Sequence, residues 1–228
     1  WTENTNYTQK WTGITSTADG TKLAAIVNGG GIWTSTDSGA TWTNTSPSGT
    51  GSAKWQSIVY SADGTKLVAS DRFGDIYIST DSGSNWTSKT VIDRGGSETN
   101  RFTGLASSVD GTTLAVGTQS NIWISNDGGV TWNNKNPPGG DIYWGQIAMS
   151  SDGTKLVGIA STMDANGNNT YGNGGIWVSS DSGENWTHYT VGHTTTQWMD
   201  IESSSDGQKL VALDYTGYAW FSNDGGST

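Results

Sequence analysis

Short runs in which apolar and polar residues alternate, each cut off by Gly, Asp, Asn or Ser, follow one another along the whole chain. In the first group WTGITST (11–17) meets Asp19-Gly20, KLAAIVN (22–28) returns, a glycine run crosses, and IWTST (32–36) leads through a second turn into TWTNT (41–45). Period-two patterning bounded by turn residues predicts β-strands, and Asp-Gly between two such runs predicts a tight hairpin. No run has the spacing of an amphipathic helix, and no apolar stretch approaches the length of a membrane-spanning helix.

The group then repeats. Ser-x-Asp-x-Gly-x-x-Trp is complete at 35–42, 79–86, 125–132 and 179–186 and stops short of its Trp at 222–228. Its Asp residues, Asp37, Asp81, Asp127, Asp181 and Asp224, are separated by 44, 46, 54 and 43 residues. A second phrase of the type Ser-x-Asp-Gly-x-x-Leu precedes each first one, as in SADGTKL (61–67) and SSDGTKL (150–156). Periods of this length mean propellers or solenoids, and four antiparallel strands per unit are the blade of a propeller. The expected fold is all-β: a five-bladed β-propeller of four-stranded antiparallel blades, in one domain over residues 1–228. Trp1 supplies the Trp missing after Asp224. The ring is therefore expected to close by pairing of the N-terminal strand, residues 1–6, with the C-terminal blade, hiding free sheet edges.

Within the first phrase, the Asp carboxylate can accept N–H bonds of its own turn, the Gly allows positive φ, and the Trp pins the hairpin to the sheet. The five phrases, with Trp42, Trp86, Trp132, Trp186 and Trp1 closing them, resemble the Asp-box (BNR) repeats of sialidase-like propellers, and the resemblance runs the length of the chain. It implies that the box lies in the hairpin between third and fourth strands and is a folding element remote from any active site.

The chain carries a net charge of −10 with only 11 Lys and Arg, which argues against nucleic acid as a partner, because phosphate binding needs a basic face. It has no cysteine, so neither a disulfide framework nor a thiolate metal site is available. The 13 Trp all fall on three positions per repeat: box-closing, innermost-strand (Trp11, Trp55, Trp144, Trp198) and third-strand (Trp33, Trp123, Trp177, Trp220), with Phe102 and Tyr77 filling the gaps. A residue demanded once per blade is core packing before it is a sugar platform. The innermost set is the exception, being placed to ring one mouth of a channel.

Function is therefore sought where the repeat fails, on the loops opposite the boxes. The longest departure is ASTMDANGNNTYGNGG (160–175), read as an insertion loop of blade four. Asp164, Asn166 and Asn168 in it have the alternating oxygen spacing that opens a calcium loop, but later ligands are missing. No cofactor and no metal are expected, with calcium kept as the alternative. Asp200 and Glu202 stand two apart on the innermost strand of blade five, as a carboxylate pair or as solvated channel-lining acids. Arg72, Arg94 and Arg101 fall on the same variable side, but the Arg-Ile-Pro sequence of the sialidase-like family is absent. His188 and His193 read as surface residues, without further ligands for a metal.

The resulting expectation is a non-catalytic module that binds carbohydrate or a cell-surface glycan through Asp164, Asn166, Asn168, Tyr171, Asp200, Glu202 and Tyr215, with Tyr143 and Tyr218 as further stacking faces. Alternatives are a sialidase-like glycoside hydrolase using Asp200 and Glu202, a protein-assembly platform, and an excised or engineered array without selected activity. The protein is expected to be secreted or extracellular (periplasmic in a bacterium), monomeric and not inserted in a membrane.

Overall fold

The computed structural model describes residues 7–50, 53–72, 74–91, 102–118, 121–137, 142–163, 169–191 and 197–228. Among the described residues nineteen strands form five antiparallel sheets in chain order, and the fold is that of a five-bladed β-propeller. Blade one consists of β1 (Trp11–Ser16), β2 (Leu23–Val27), β3 (Ile32–Ser35) and β4 (Thr43–Asn44). Blade two has β5 (Trp55–Tyr60), β6 (Leu67–Asp71), β7 (Asp75–Ser79) and β8 (Thr87–Thr90). Blade three has β9 (Phe102–Ser107), β10 (Leu114–Thr118), β11 (Ile122–Ser125) and β12 (Asn133–Asn134). Blade four has β13 (Ile142–Met149), β14 (Leu156–Met163), β15 (Asn169–Ser179) and β16 (Thr187–Tyr189). Blade five has β17 (Trp198–Ser203), β18 (Leu210–Asp214) and β19 (Ala219–Ser222). The expected outer strand of blade five, residues 1–6, lies outside the described residues.

The contacts divide the chain into two compact units, residues 1–96 with blades one and two and residues 97–228 with blades three to five. In the first unit, Ala24, Ile26 and Ile32 of blade one pack onto Trp55, Ile58, Tyr60, Leu67 and Ala69 of blade two. In the second, Ala106, Ala115, Ile122 and Ile124 of blade three meet Trp144, Ile147 and Leu156 of blade four. Ala148, Val157 and Ile159 of blade four then meet Ile201, Leu210 and Ala212 of blade five. Blade four thus has two apolar flanks, one for blade three and one for blade five, as strands buried on both faces require. Trp55, Phe102 and Trp144 are among the most deeply buried side chains. The innermost aromatics of these three blades are core residues and not the channel-mouth ring expected for them: Trp55 fills the gap between blades one and two, Trp144 that between blades three and four, and Phe102 is 1% exposed.

Both repeated turns have local causes. The Asp-Gly hairpin is a four-residue loop, Ala18–Thr21, closed by a bond from Thr17 N to Lys22 O, with a 3.0 Å bond from Gly20 N back to Thr17 O. Within that loop only Gly20 has positive φ (69°), so the tight hairpin expected here is a type I turn followed by a left-handed glycine. In the Ser-x-Asp-x-Gly turn between β3 and β4, Ser35 Oγ donates to Asp37 Oδ1 and accepts from Gly39 N, while Asp37 accepts from Thr41 N and Thr41 Oγ1. The same bonds recur at Asp81, Asp127, Asp181 and Asp224, with Asn85 and Asn185 in the place of Thr41. Two successive left-handed residues, such as Ser38 (φ 56°) and Gly39 (φ 89°), make the bend, which explains Gly at its second position.

Candidate functional site

The first question is which ends of the sheets lie together. Val109 N donates to Ser151 O and Ser151 N to Ser205 O, so the Asp-Gly turns of blades three, four and five stand side by side. The opposite ends of β13, β14, β15, β17 and β18 are therefore neighbours too, and they carry the departures from the repeat.

Blade four departs most. Its insertion is not a loop hung between strands but an extension of the sheet. β14 runs for 8 residues and β15 for 11, against 5 and 4 in blade three, and the added segment pairs Thr162 with Thr170 and Met163 with Asn169. β13 lengthens with them, pairing Ile142 with Thr162 and Tyr143 with Ser161. Tyr171 sits in β15; Asp164, Asn166 and Asn168 lie outside the described residues. Thr and Asn tolerate strand conformation well enough once ladder bonds are available on a preformed edge.

Blade five carries a hydrogen-bonded turn at the same end of its strands. Asp214, 4% exposed, accepts from Thr216 N, Thr216 Oγ1 and Tyr218 N through Oδ1 and from Trp220 Nε1 through Oδ2. Those bonds hold its carboxyl well below the usual range, at about 2, the Thr216 hydroxyl being the largest cause. Tyr215 N donates to Gln197 O, tying the turn to the start of β17. On this braced turn Tyr215 and Tyr218 stand 72% and 61% exposed. Both rings are thus open to solvent on a turn whose backbone is hydrogen-bonded on either side.

Asp200 and Glu202 lie on β17, opposite Leu213 and Val211. Asp200 Oδ1 accepts from Ile201 N, and the Glu202 carboxyl is raised by partial burial and then by Asp200. Glu202 holds the register of Thr15 in blade one, whose hydroxyl accepts from Tyr60 N of blade two. That position therefore points toward the next blade.

Elsewhere, Arg72 N is bonded to Lys54 O, while Arg94 and Arg101 lie outside the described residues. His188 is exposed and stacks on Trp177 with ring centroids 4.6 Å apart, and His193 is not described. Among the described residues no group of three or more His, Cys, Asp or Glu could hold a metal ion. The exposed tyrosine turn could have been read from the sequence, since Asp214-Tyr215-Thr216-Gly217-Tyr218 replaces the glycine run of blade one.

The fold places the chain among β-propellers. No family model and no curated protein matches it. Three similar solved structures are a GH74 xyloglucanase from Xanthomonas campestris (14% identity, TM-score 0.66), YCF48 bound to a D1 peptide (16%, 0.66) and an ancestral GH74 enzyme (17%, 0.69). They cover 96, 96 and 92% of this chain, which spans 37, 66 and 32% of theirs. At these identities the likeness is one of fold.

Proposed function

We propose that this chain is a carbohydrate-binding module built on Asp-box blades, with its binding surface at the end of blades four and five opposite the Asp boxes. The observation that carries the reading is the pair Tyr215 and Tyr218, exposed on a turn that Asp214 makes rigid. An aromatic ring fixed in advance binds an apolar sugar face without the entropic cost of ordering it. The extension of β14 and β15 stands at the same end of the strands of blade four and would supply the neighbouring part of the surface. That two GH74 enzymes share the fold supports a polysaccharide over a peptide, and the YCF48 likeness makes a peptide the competing occupant.

The test is a glycan array of plant and bacterial polysaccharides, followed by calorimetric titration of the best ligand. Tyr215→Ala and Tyr218→Ala are expected to weaken binding about tenfold or more while leaving the melting temperature unchanged. A folded protein that binds no glycan, or binds equally well without both tyrosines, would overturn the reading.

A further inference from the structure

The two compact units differ sharply in charge. Residues 1–96 carry eight Asp and Glu against seven Lys and Arg, whereas residues 97–228 carry 13 against four. Nearly all of the net charge of −10 therefore belongs to the unit that holds blades three to five. Within that unit the four cations are placed unevenly.

Lys155 and Lys209 follow the Asp-Gly turns of blades four and five and immediately precede β14 and β18. Lys155 Nζ donates to Asp206 O at 2.9 Å, and Lys209 N donates to Ser204 Oγ at 2.9 Å. Both lysines thus stand at the Asp-Gly end of their blades. Lys135 of blade three is held by Glu184 at 2.6 Å. Arg101 precedes β9 of blade three and lies outside the described residues. Residues 136–154, 156–208 and 210–228 contain neither Lys nor Arg. The end of blades four and five that carries the Tyr215 turn and the extension is therefore without a lysine or arginine of its own.

That end has carboxylates instead. Asp214 closes β18 next to Tyr215, and Asp200 lies on the paired strand β17 opposite Leu213. The Asp214 carboxyl, held at about 2, is ionised at neutral pH. The charge of Asp200 reaches its neighbour, since burial first and Asp200 second raise the Glu202 carboxyl. His188 adds no compensating cation, because partial burial lowers its imidazolium. Recognition of a sugar carboxylate or sulfate calls for Arg or Lys, with Arg gripping it bidentately. A surface that offers neither, and holds fixed negative charge, penalises an anionic chain and leaves a neutral one unaffected.

We propose that the surface at this end of blades four and five takes an uncharged polysaccharide and discriminates against acidic ones, those bearing uronate, sialate or sulfate groups. The proposal rests on the carbohydrate reading above and narrows it to a chemical class. It also sets aside the sialidase-like alternative, because a sialoside presents a carboxylate.

The best-binding glycan of the array, oxidised at its primary hydroxyls to the uronate, supplies the test. Both forms are titrated at about 0.01 M and about 1 M salt, between which the screening length falls from about 30 Å to about 3 Å. The uncharged form is expected to bind equally at both. The uronate is expected to bind about tenfold more weakly at low salt and to recover most of that loss at high salt. Met199→Lys, at a position 56% exposed on β17, adds a cation and is expected to narrow the low-salt gap without altering the uncharged form. Acidic glycans as the best ligands of the array would overturn the proposal, and their loss in Tyr215→Ala would show that the binding surface itself stands. A uronate deficit that neither salt nor Met199→Lys relieves would assign the discrimination to lost hydrogen bonds and overturn it equally. An array without any binding removes the surface, and the proposal falls with it.

Discussion

Trp11 and Trp55 occupy the same word of the repeat, each following a lysine and opening an innermost strand, yet one is 37% exposed and the other 2%. Trp55 donates through Nε1 to Gly30 O of blade one and is enclosed by Ile26, Ile32 and Tyr77, whereas among the described residues Trp11 has ring contacts with Trp33 and Trp42 of its own blade. The residue is the same, so the difference lies in the cover that blade one gives Trp55. In this architecture an aromatic becomes core by what is laid upon it, not by its own identity.

The largest test of this contrast is truncation of the two classes. Trp55→Ala or Trp144→Ala is expected to cost about 3–5 kcal/mol, since each leaves a cavity between two sheets. Trp11→Ala is expected to cost under about 1 kcal/mol in the isolated chain, and calorimetric or denaturant melts would show the gap. Equal costs would dissolve the comparison. A smaller effect separates buried from open turns of the Ser-x-Asp-x-Gly phrase. Ser79 is 1% exposed and accepts from Gly83 N, so Ser79→Ala strands a buried N–H at about 1–3 kcal/mol. Ser222 makes the same bond to Gly226 N in a more solvated turn, and Ser222→Ala is expected to cost measurably less.

Acid titration sharpens the point again. The carboxyls of Asp37, Asp127 and Asp224 are lowered from 3.8 to about 2, the hydroxyls of Thr41, Thr131 and Thr228 being the largest cause in each. Asp19, Asp63, Asp110 and Asp152 are lowered equally by Ser or Thr hydroxyls. A carboxyl whose folded pKa is depressed stabilises the fold fully above its unfolded pKa and loses that contribution as the pH falls through the folded value. The melting temperature is therefore expected to hold level above about pH 5 and to fall as acid is added from about pH 4 towards 2. Flat melting through that range would mean the turn bonds are not held in solution. The smallest effect is at Tyr215, where alanine is expected to leave stability within about 0.5 kcal/mol, because a ring 72% exposed packs on little.

The blades were legible because every one repeats both turn phrases, and each phrase carries its own hydrogen bonds independently of distant packing. The extension of blade four was not. NGNNTYGNGG reads as a loop from its Asn and Gly content, and only the lengthened β14, itself paired to β13, offers the ladder partners Met163, Thr162 and Ala160 that bring Asn169, Thr170 and Gly175 into strand. Cover on a flank is equally hidden, since KWTGI and KWQSI are almost the same five letters. Asp200 and Glu202 stand on one strand as read, but that their side points at a following blade emerges only from the bond between Thr15 and Tyr60.

The outermost strands β4 and β12 are only two residues long. An outer edge that short offers an incoming chain few unpaired N–H and C=O groups to template upon, so lateral sheet-to-sheet sticking is frustrated. All 3 Pro of the chain, Pro47, Pro137 and Pro138, and Lys135 follow directly on these two strands, so brevity and the usual gatekeepers act together. Lengthening β4 by a few β-branched residues should therefore promote association through that edge.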